Sequence, residues 1–228
     1  MREEGKLREI PIHETFQIAA ILAIVGGFLD AYTYILRGGV FANAQTGNMV
    51  LMGVRLADRE FSKAFYYIIP IVAFSLGVFI TELVKKHYTN RGFERFEHRI
   101  IAIEIILLLI VGVLPLSIPD SVINVTISFV CSLQVNSFRK VKNLPYATTM
   151  CTGNLRSGTE KLFCFLIDRK EKSGREAAHY FGIIILFITG AIVGTLLSKT
   201  VGVRSIWVCC ILLSFVWIAM EGWKKEKV

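Results

Sequence analysis

The stretch GGFLDAYTYILRGGVFANAQTGN, from Gly26 to Asn48, decides how this chain folds. It begins as an apolar helix, carries one acid at Asp30, and ends in the small polar triplet Thr46-Gly47-Asn48. The same triplet returns later in the chain as Thr152-Gly153-Asn154. A polar triplet that occurs twice beside apolar segments indicates an internal repeat of the kind found in many membrane transporters.

The two halves of the chain align over this stretch without a gap. Gly26 to Asn48 falls on SLQVNSFRKVKNLPYATTMCTGN, from Ser132 to Asn154, so that the triplets coincide and Asp30 falls on Asn136. Outside the triplets identity is low, but a second match further along the chain supports the repeat. It places Tyr67, Phe74, Gly77, Leu83 and Lys86 on the identical residues Tyr180, Phe187, Gly190, Leu196 and Lys199.

The composition is that of an integral membrane protein. Of the 228 residues, 54% are hydrophobic and only 19% are charged. The apolar residues form runs long enough to cross roughly 30 Å of hydrocarbon as helices. We expect six spans, at about 15–36, 62–84, 100–117, 120–138, 177–198 and 203–222. They form one transmembrane domain over 1–228, with repeat A at about 12–117 and repeat B at about 118–222.

The distribution of basic residues decides between two topologies. If the triplet segments, at about 40–56 and 146–166, both cross the membrane, there are eight spans and the basic loop at 85–99 lies outside. If both segments enter and return on the same side, there are six spans with both termini inside. The second arrangement places 20 of the 26 Lys and Arg residues inside. The positive-inside rule therefore favours six spans plus two re-entrant or broken segments.

With three spans in each half, the second half enters the membrane from the opposite side. The sequence thus predicts an all-α polytopic protein built as a 3+3 inverted repeat. We expect Gly47 and Gly153 to form sharp turns, and Thr46 and Thr152 to cap short helices. Two helix N-termini, each with a partial positive charge, would then meet near the midplane of the membrane. The alternative is that the triplets are only tight turns that stabilise broken helices.

Asp30 is the most informative polar residue. It lies roughly 22 Å along the first helix, and an acid at that depth is a candidate for function. We expect Arg156 to be its partner. The alternative to a functional role is that Asp30 forms an ion pair or a cap that only holds the fold together. Glu104, by contrast, is expected to reach the inner interface. The candidate solute-binding residues are Asp30, Asn43, Gln45, Thr46, Gly47, Asn48, Asn136, Thr152, Gly153, Asn154 and Arg156.

Several classes of function are excluded or disfavoured. The sequence has no phosphate-binding loop, no zinc-protease motif and no Ser-His-Asp set, so we expect no enzyme and no catalytic residue. The five cysteines lack C-x-x-C spacing, and no metal or other cofactor is expected. The net charge of +8 reflects membrane orientation and attraction to anionic lipid headgroups rather than nucleic-acid binding.

The stretch GGFLDAYTYILRGGVFANAQTGNMVLMG and the later TTMCTGNLRSG resemble the YoaK-like bacterial inner-membrane proteins, a family of unknown function. Gly27, Asp30 and the two triplets match the pattern of that family, and the resemblance covers nearly the whole chain. It implies a multi-pass bacterial membrane protein of about this length. It implies no substrate.

The leading hypothesis is a small transporter or channel for a small polar solute or ion, with both termini in the cytoplasm. Asp30 would respond to protons or bind a cation, and the two triplet segments would form the site. Helix N-termini favour anions whereas Asp30 favours cations, so the charge of the solute stays open; a zwitterion or a neutral polar solute would reconcile the two. One alternative is a membrane sensor, scaffold or assembly factor that transports nothing. Another is an enzyme acting on a lipid. The expected oligomer is a homodimer.

Overall fold

The computed structural model describes residues 11–89, 96–115, 117–142, 144–149 and 151–225. Within these ranges the only strands are β1 (Lys140–Val141) and β2 (Leu144–Pro145), which form one short antiparallel pair. The protein is all-α, as the sequence predicts. The helices are α1 (Phe16–Leu36), α2 (Gln45–Ala57), α3 (Phe61–Thr89), α4 (Phe96–Val113), α5 (Asp120–Ser137), α6 (Cys151–Leu166), α7 (Glu171–Val201) and α8 (Trp207–Lys225).

Helices lie at each of the six positions where spans are predicted. Three stretches of the described residues are long and apolar enough to cross a membrane: Phe16–Leu36, Phe61–His87 and Glu171–Gly222. The last includes α7 and most of α8, which are separated by a short 3-10 helix (Gly202–Ile206) that begins at Gly202, where φ is 73°. The other two predicted spans are α4, which carries the charged residues Glu97, Arg99 and Glu104, and α5, which carries several amides and hydroxyls.

The triplets themselves are helical, and the prediction of sharp turns at Gly47 and Gly153 is wrong. α2 begins at Gln45 and α6 at Cys151, so each triplet lies in the first helical turn. Neither glycine is among the described residues with positive φ. The chain bends just before the helices, at 42–43 and 148–149. The predicted caps are also absent at α2, where the residue before the helix is Ala44.

The helices pack in a pattern that repeats between the halves. α1 packs on α7 and α3 on α5, while α2 lies against α3 and α6 against α7. α4 packs on α8, and smaller contacts join α4 to α5, α1 to α8 and α1 to α5. This set of helix contacts is unchanged when α1 is exchanged with α5, α2 with α6, α3 with α7 and α4 with α8. The two halves of the chain therefore make equivalent contacts.

Glycines permit the two close helix crossings. On α7, a Cβ added at Gly190 would overlap the backbone carbonyl of Ile24 in α1. On α3, a Cβ added at Gly77 would overlap the Ser132 side chain in α5. Gly77 and Gly190 are among the residues that the sequence repeat aligns. Small residues thus bring each long helix close to its partner, as is common between membrane helices.

Candidate functional site

A cavity of about 480 Å³ lies where the two triplet segments meet. Its wall is built by α1, α3 and α7 together with the N-terminal ends of α2 and α6. Four aromatic residues line it, namely Tyr34, Phe41, Phe74 and Phe187, and the remaining wall is mostly small or polar. A largely apolar cavity with a few convergent polar groups is the usual form of a site for a small molecule.

Some of the residues that line the cavity form pairs related by the sequence repeat. Asp30, Phe41 and Gly153 lie on the wall without their counterparts Asn136, Ala147 and Gly47. Four other pairs, at the bends, the helix starts and the long helices, have both members on the wall. These pairs are Asn43 with Thr149, Gln45 with Cys151, Thr46 with Thr152, and Phe74 with Phe187. The cavity therefore lies at a position that the two halves of the chain share.

The asparagines of the two triplets hold the bends in place. Asn48 is fully buried; its Nδ2 donates to the carbonyl of Phe41 at 2.7 Å, and its Oδ1 accepts the Phe41 backbone N–H at 3.0 Å. Asn154 makes the same two bonds with Ala147, at 2.7 and 3.2 Å. Both amides are engaged by backbone groups seven residues earlier in the chain. Neither asparagine lines the cavity.

Asp30 supports the start of α2 from the neighbouring helix α1. Its side chain is buried, and its Oδ1 accepts the backbone N–H of Asn43 at 2.6 Å. The Asn43 side chain returns to α1 by donating to the carbonyl of Gly26 at 3.2 Å. A carboxylate that accepts N–H groups beside a helix N-terminus is stabilised by the partial positive charge there. Asp30 therefore both lines the cavity and fastens the first bend.

Two polar atoms at the wall have no hydrogen-bond partner among the described residues. They are Oδ1 of Asn43 and Oγ1 of Thr149, which occupy equivalent positions in the two halves. Both residues are more than nine-tenths buried. Because buried polar groups are nearly always paired in native proteins, these two atoms indicate where a polar ligand or water could bind.

Arg156 does not pair with Asp30, so that expectation is wrong. The Arg156 side chain is 83% exposed, and its Nε donates to Glu160 at 3.0 Å, one turn further along α6. The reason is that α6 begins at Cys151, which turns the face carrying Arg156 and Glu160 away from α1. Arg156 is not among the residues that line the cavity.

Asn136 also lies apart from the cavity. Its side chain donates to Glu82 at 2.9 Å and accepts a hydrogen bond from Arg139, in a polar cluster where α3 and α5 approach their C-terminal ends. Of the other candidate residues, six line the cavity and Gly47 lies behind it, under the ring of Phe41. The six are Asp30, Asn43, Gln45, Thr46, Thr152 and Gly153.

Glu104 is buried, and the expectation that it reaches the interface is wrong. Its exposed fraction is 0%, and neither carboxyl oxygen has a hydrogen-bond partner among the described residues. Glu104 lies on α4, which packs against α5 and α8, so its side chain has no path to the membrane surface. Its neighbours in sequence and space, Ile101 and Leu108, belong to the main apolar core.

Sequence reasoning missed Cys151 and the two aromatic residues Phe74 and Phe187 as parts of the wall. The signal for the aromatic pair was present, because the second stretch of the repeat aligns Phe74 with Phe187. Cys151 precedes the triplet directly, but the spacing of the cysteines gives no signal for a place at the cavity. Among the described residues there is no group of three His, Cys, Asp or Glu side chains that could hold a metal ion.

Comparison with known proteins supports a membrane family. The family described as "Protein of unknown function (DUF1275)" matches residues 18–219. The chain is 24% identical over 201 residues to the UPF0700 transmembrane protein YoaK of Bacillus subtilis (strain 168), which covers 86% of this chain and 89% of that protein. No solved structure matches it significantly. Since the match extends over most of its length, the chain belongs to the DUF1275 family and is a membrane protein.

Proposed function

We propose that this protein is a small transporter or channel, and that a small polar solute passes through the cavity between the two triplet segments. The observation that carries the proposal is the pairing of the wall. Four pairs of repeat-related residues, among them Thr46 with Thr152, line one cavity. Binding sites of transporters with inverted repeats lie at the interface of the repeats, beside the N-termini of broken helices.

The same proposal includes a 3+3 inverted repeat with six spans. α2 and α6 have 13 and 16 residues, so they are about 20 and 24 Å long. Both are shorter than the roughly 30 Å of hydrocarbon, which supports segments that enter without crossing. The contacts between helices α1 to α8 stay the same when the helices of one half are exchanged with those of the other, which supports equivalent halves. The paired bonds of Asn48 and Asn154 support a common origin for the two bends.

The orientation follows from the charges. We propose a bacterial inner-membrane location with both termini in the cytoplasm, because that arrangement keeps most Lys and Arg residues inside. The cluster of Glu82, Lys85 and Arg139 would then lie at the inner surface, near anionic headgroups. The ion pair between the buried Arg37 and the partly exposed Asp120, at 3.1 Å, would lie at the outer surface. A homodimer remains our expectation for the assembled state.

Cysteine accessibility tests the proposal directly. On a background in which all five native cysteines are replaced, single cysteines are placed at Thr46 and Thr152, both exposed in the helical turns at the cavity. Asp58 and Asp168 serve as surface controls for the expected outer and inner sides. Membrane-impermeant thiol reagents are applied from each side of sealed vesicles. We expect reaction at 46 from outside, and at 152 from inside.

Reaction at both triplet positions, with the two controls on opposite sides, would show water-filled access from two faces. Flux measurements in proteoliposomes would then follow. If the controls react but neither triplet position does, no water reaches the cavity. A function as a sensor, scaffold or assembly factor would then be favoured over transport. If a cysteine at 58 proves internal, the first triplet segment crosses the membrane and the inverted repeat is wrong.

A further inference from the structure

The two helix N-termini at the cavity differ in their electrical surroundings. At α2, the carboxyl of Asp30 accepts the N–H of Asn43, so an acidic group lies beside the partial positive charge of the helix start. At α6, the position equivalent to Asp30 is Asn136, whose amide is held by Glu82 and Arg139 instead. Among the described residues that line the cavity, Asp30 is the one carboxyl group. The start of α6 therefore has no carboxyl hydrogen-bonded at the position equivalent to Asp30, although Asp30 also acts through space on Cys151.

A second observation marks the α6 end as a binding position for an anion. Thr149 lines the cavity two residues before α6 begins, and its side chain is 6% exposed. Its hydroxyl Oγ1 has no hydrogen-bond partner among the described residues. The first N–H groups of a helix also lack acceptors within that helix. A carboxylate oxygen would accept hydrogen bonds from both kinds of donor at once.

The opposite part of the wall suits a cation. Asp30 supplies a carboxyl, and the aromatic residues Tyr34, Phe41, Phe74 and Phe187 line the same cavity. The rings of Tyr34 and Phe41 stack with their centroids 5.0 Å apart. Alkylammonium groups are attracted to the faces of aromatic rings, and this attraction is stronger where water is excluded. The described lining residues include no Lys or Arg that would oppose a cation.

We propose that the solute is a small zwitterion, with its ammonium group beside Asp30 and the aromatic residues and its carboxylate at the start of α6 beside Thr149. This inference rests on the proposed function, because it names the solute of the same cavity. A zwitterion brings both charges into the site together. It therefore matches a negative and a positive group on one wall, which an anion or a cation alone does not.

Charge-selective labelling tests the polarity of the cavity. Single cysteines at Thr46 and Thr152 are treated with an anionic reagent, sulfonatoethyl methanethiosulfonate, and with its cationic trimethylammonioethyl counterpart. The ratio of the two rates cancels the intrinsic reactivity of each thiol. We expect the anionic-to-cationic ratio to be at least about fivefold higher at 152 than at 46. Asp30→Asn should raise the ratio at 46 and leave the ratio at 152 within about twofold.

A protection experiment tests the class of solute. Glycine betaine is the probe zwitterion, and acetate and tetramethylammonium are its separate charged halves, all at equal concentration and constant ionic strength. We expect betaine to slow labelling of the cysteine at 152 at least about threefold more than either half, because only betaine satisfies both ends of the site.

Two results would overturn the proposal that the solute is a zwitterion. One is the same charge preference at both cysteines, which would indicate an anion or a cation. The other is protection by betaine no greater than protection by one of its halves. If neither cysteine reacts with any reagent while surface controls do, the cavity is dry. The proposed function is then wrong, and so is the inference that the solute is a zwitterion.

Discussion

Replacing Asn48 or Asn154 by alanine separates a structural role from a solute-binding role. Sequence reasoning assigns both side chains to the solute, whereas the structure engages both with the backbone of the preceding bend. Asn48→Ala removes the partners of the N–H and the carbonyl of Phe41, and Asn154→Ala does the same at Ala147. If these contacts are the main role of the two residues, each variant should lose stability by a similar amount.

The size of the loss follows from the groups left unpaired. A buried backbone donor or acceptor that loses its partner costs about 1–3 kcal/mol, so two groups cost about 2–6 kcal/mol. Within a membrane the unfolded chain also finds partners, which moves the expected value toward the lower end of this range. We expect each variant to lose about 2–4 kcal/mol. That is a decrease of roughly 30- to 700-fold in the folding equilibrium constant.

The assay is unfolding of the purified protein by sodium dodecyl sulfate in mixed micelles, followed by far-UV circular dichroism. Thr46→Ala and Thr152→Ala are the matched controls, because both threonines are exposed neighbours in the same helical turns. The controls should change stability by less than about 0.5 kcal/mol. If both asparagine variants lose less than about 1 kcal/mol of stability and also lose flux, the structural role is refuted. Asn48 and Asn154 would then be assigned to solute binding.

Three further substitutions have definite expectations. Gly153→Ala adds a methyl group that has no neighbour within 4 Å. We expect the stability in micelles to stay equal or to rise by about 0.5–1 kcal/mol. We expect the flux in proteoliposomes to fall. Gly190→Ala places a Cβ on the backbone of Ile24 and should cost about 1–3 kcal/mol or more, whereas Gly53→Ala, which meets nothing, should cost none. Glu104→Met removes a buried carboxyl that has no partner among the described residues. We expect this change to raise the midpoint temperature of thermal unfolding. A lower midpoint would show that the carboxyl is paired.

The positions of the long helices could be read from the sequence because a helix that crosses lipid must be apolar along its length. All six predicted spans coincide with helices, and α1 matches its predicted bounds within a residue. The short helices were harder. The glycine of each triplet suggested a turn, but the bend lies earlier, and no residue there has a turn signature as strong as glycine. The sequence therefore predicts turns at the two glycines, where the structure has the first turns of α2 and α6.

The cavity was predicted better than the contacts around it. The two aligned triplets led us to expect that Thr46 and Thr152 lie close together, and both line one cavity with Asp30. The direction in which a side chain points was not accessible in the same way. Arg156 lies close to the second triplet in sequence, but the helical period carries it to the far face. Glu104 lies only two turns from the start of α4, yet that part of the helix is covered by its neighbours.

The asparagine bonds would also allow the two halves of this chain to differ widely in sequence. Each asparagine bonds the backbone N–H and carbonyl of the residue seven positions earlier, which is a phenylalanine in one half and an alanine in the other, and Asn48 also donates to the side chain of Gln45. After a gene duplication, mutations in the bends would leave these bonds intact, whereas mutation of the asparagine would break two at once. Drift would then change most of the aligned stretch from Gly26 to Asn48 and keep its asparagine, which agrees with a stretch whose identities are confined to the triplet.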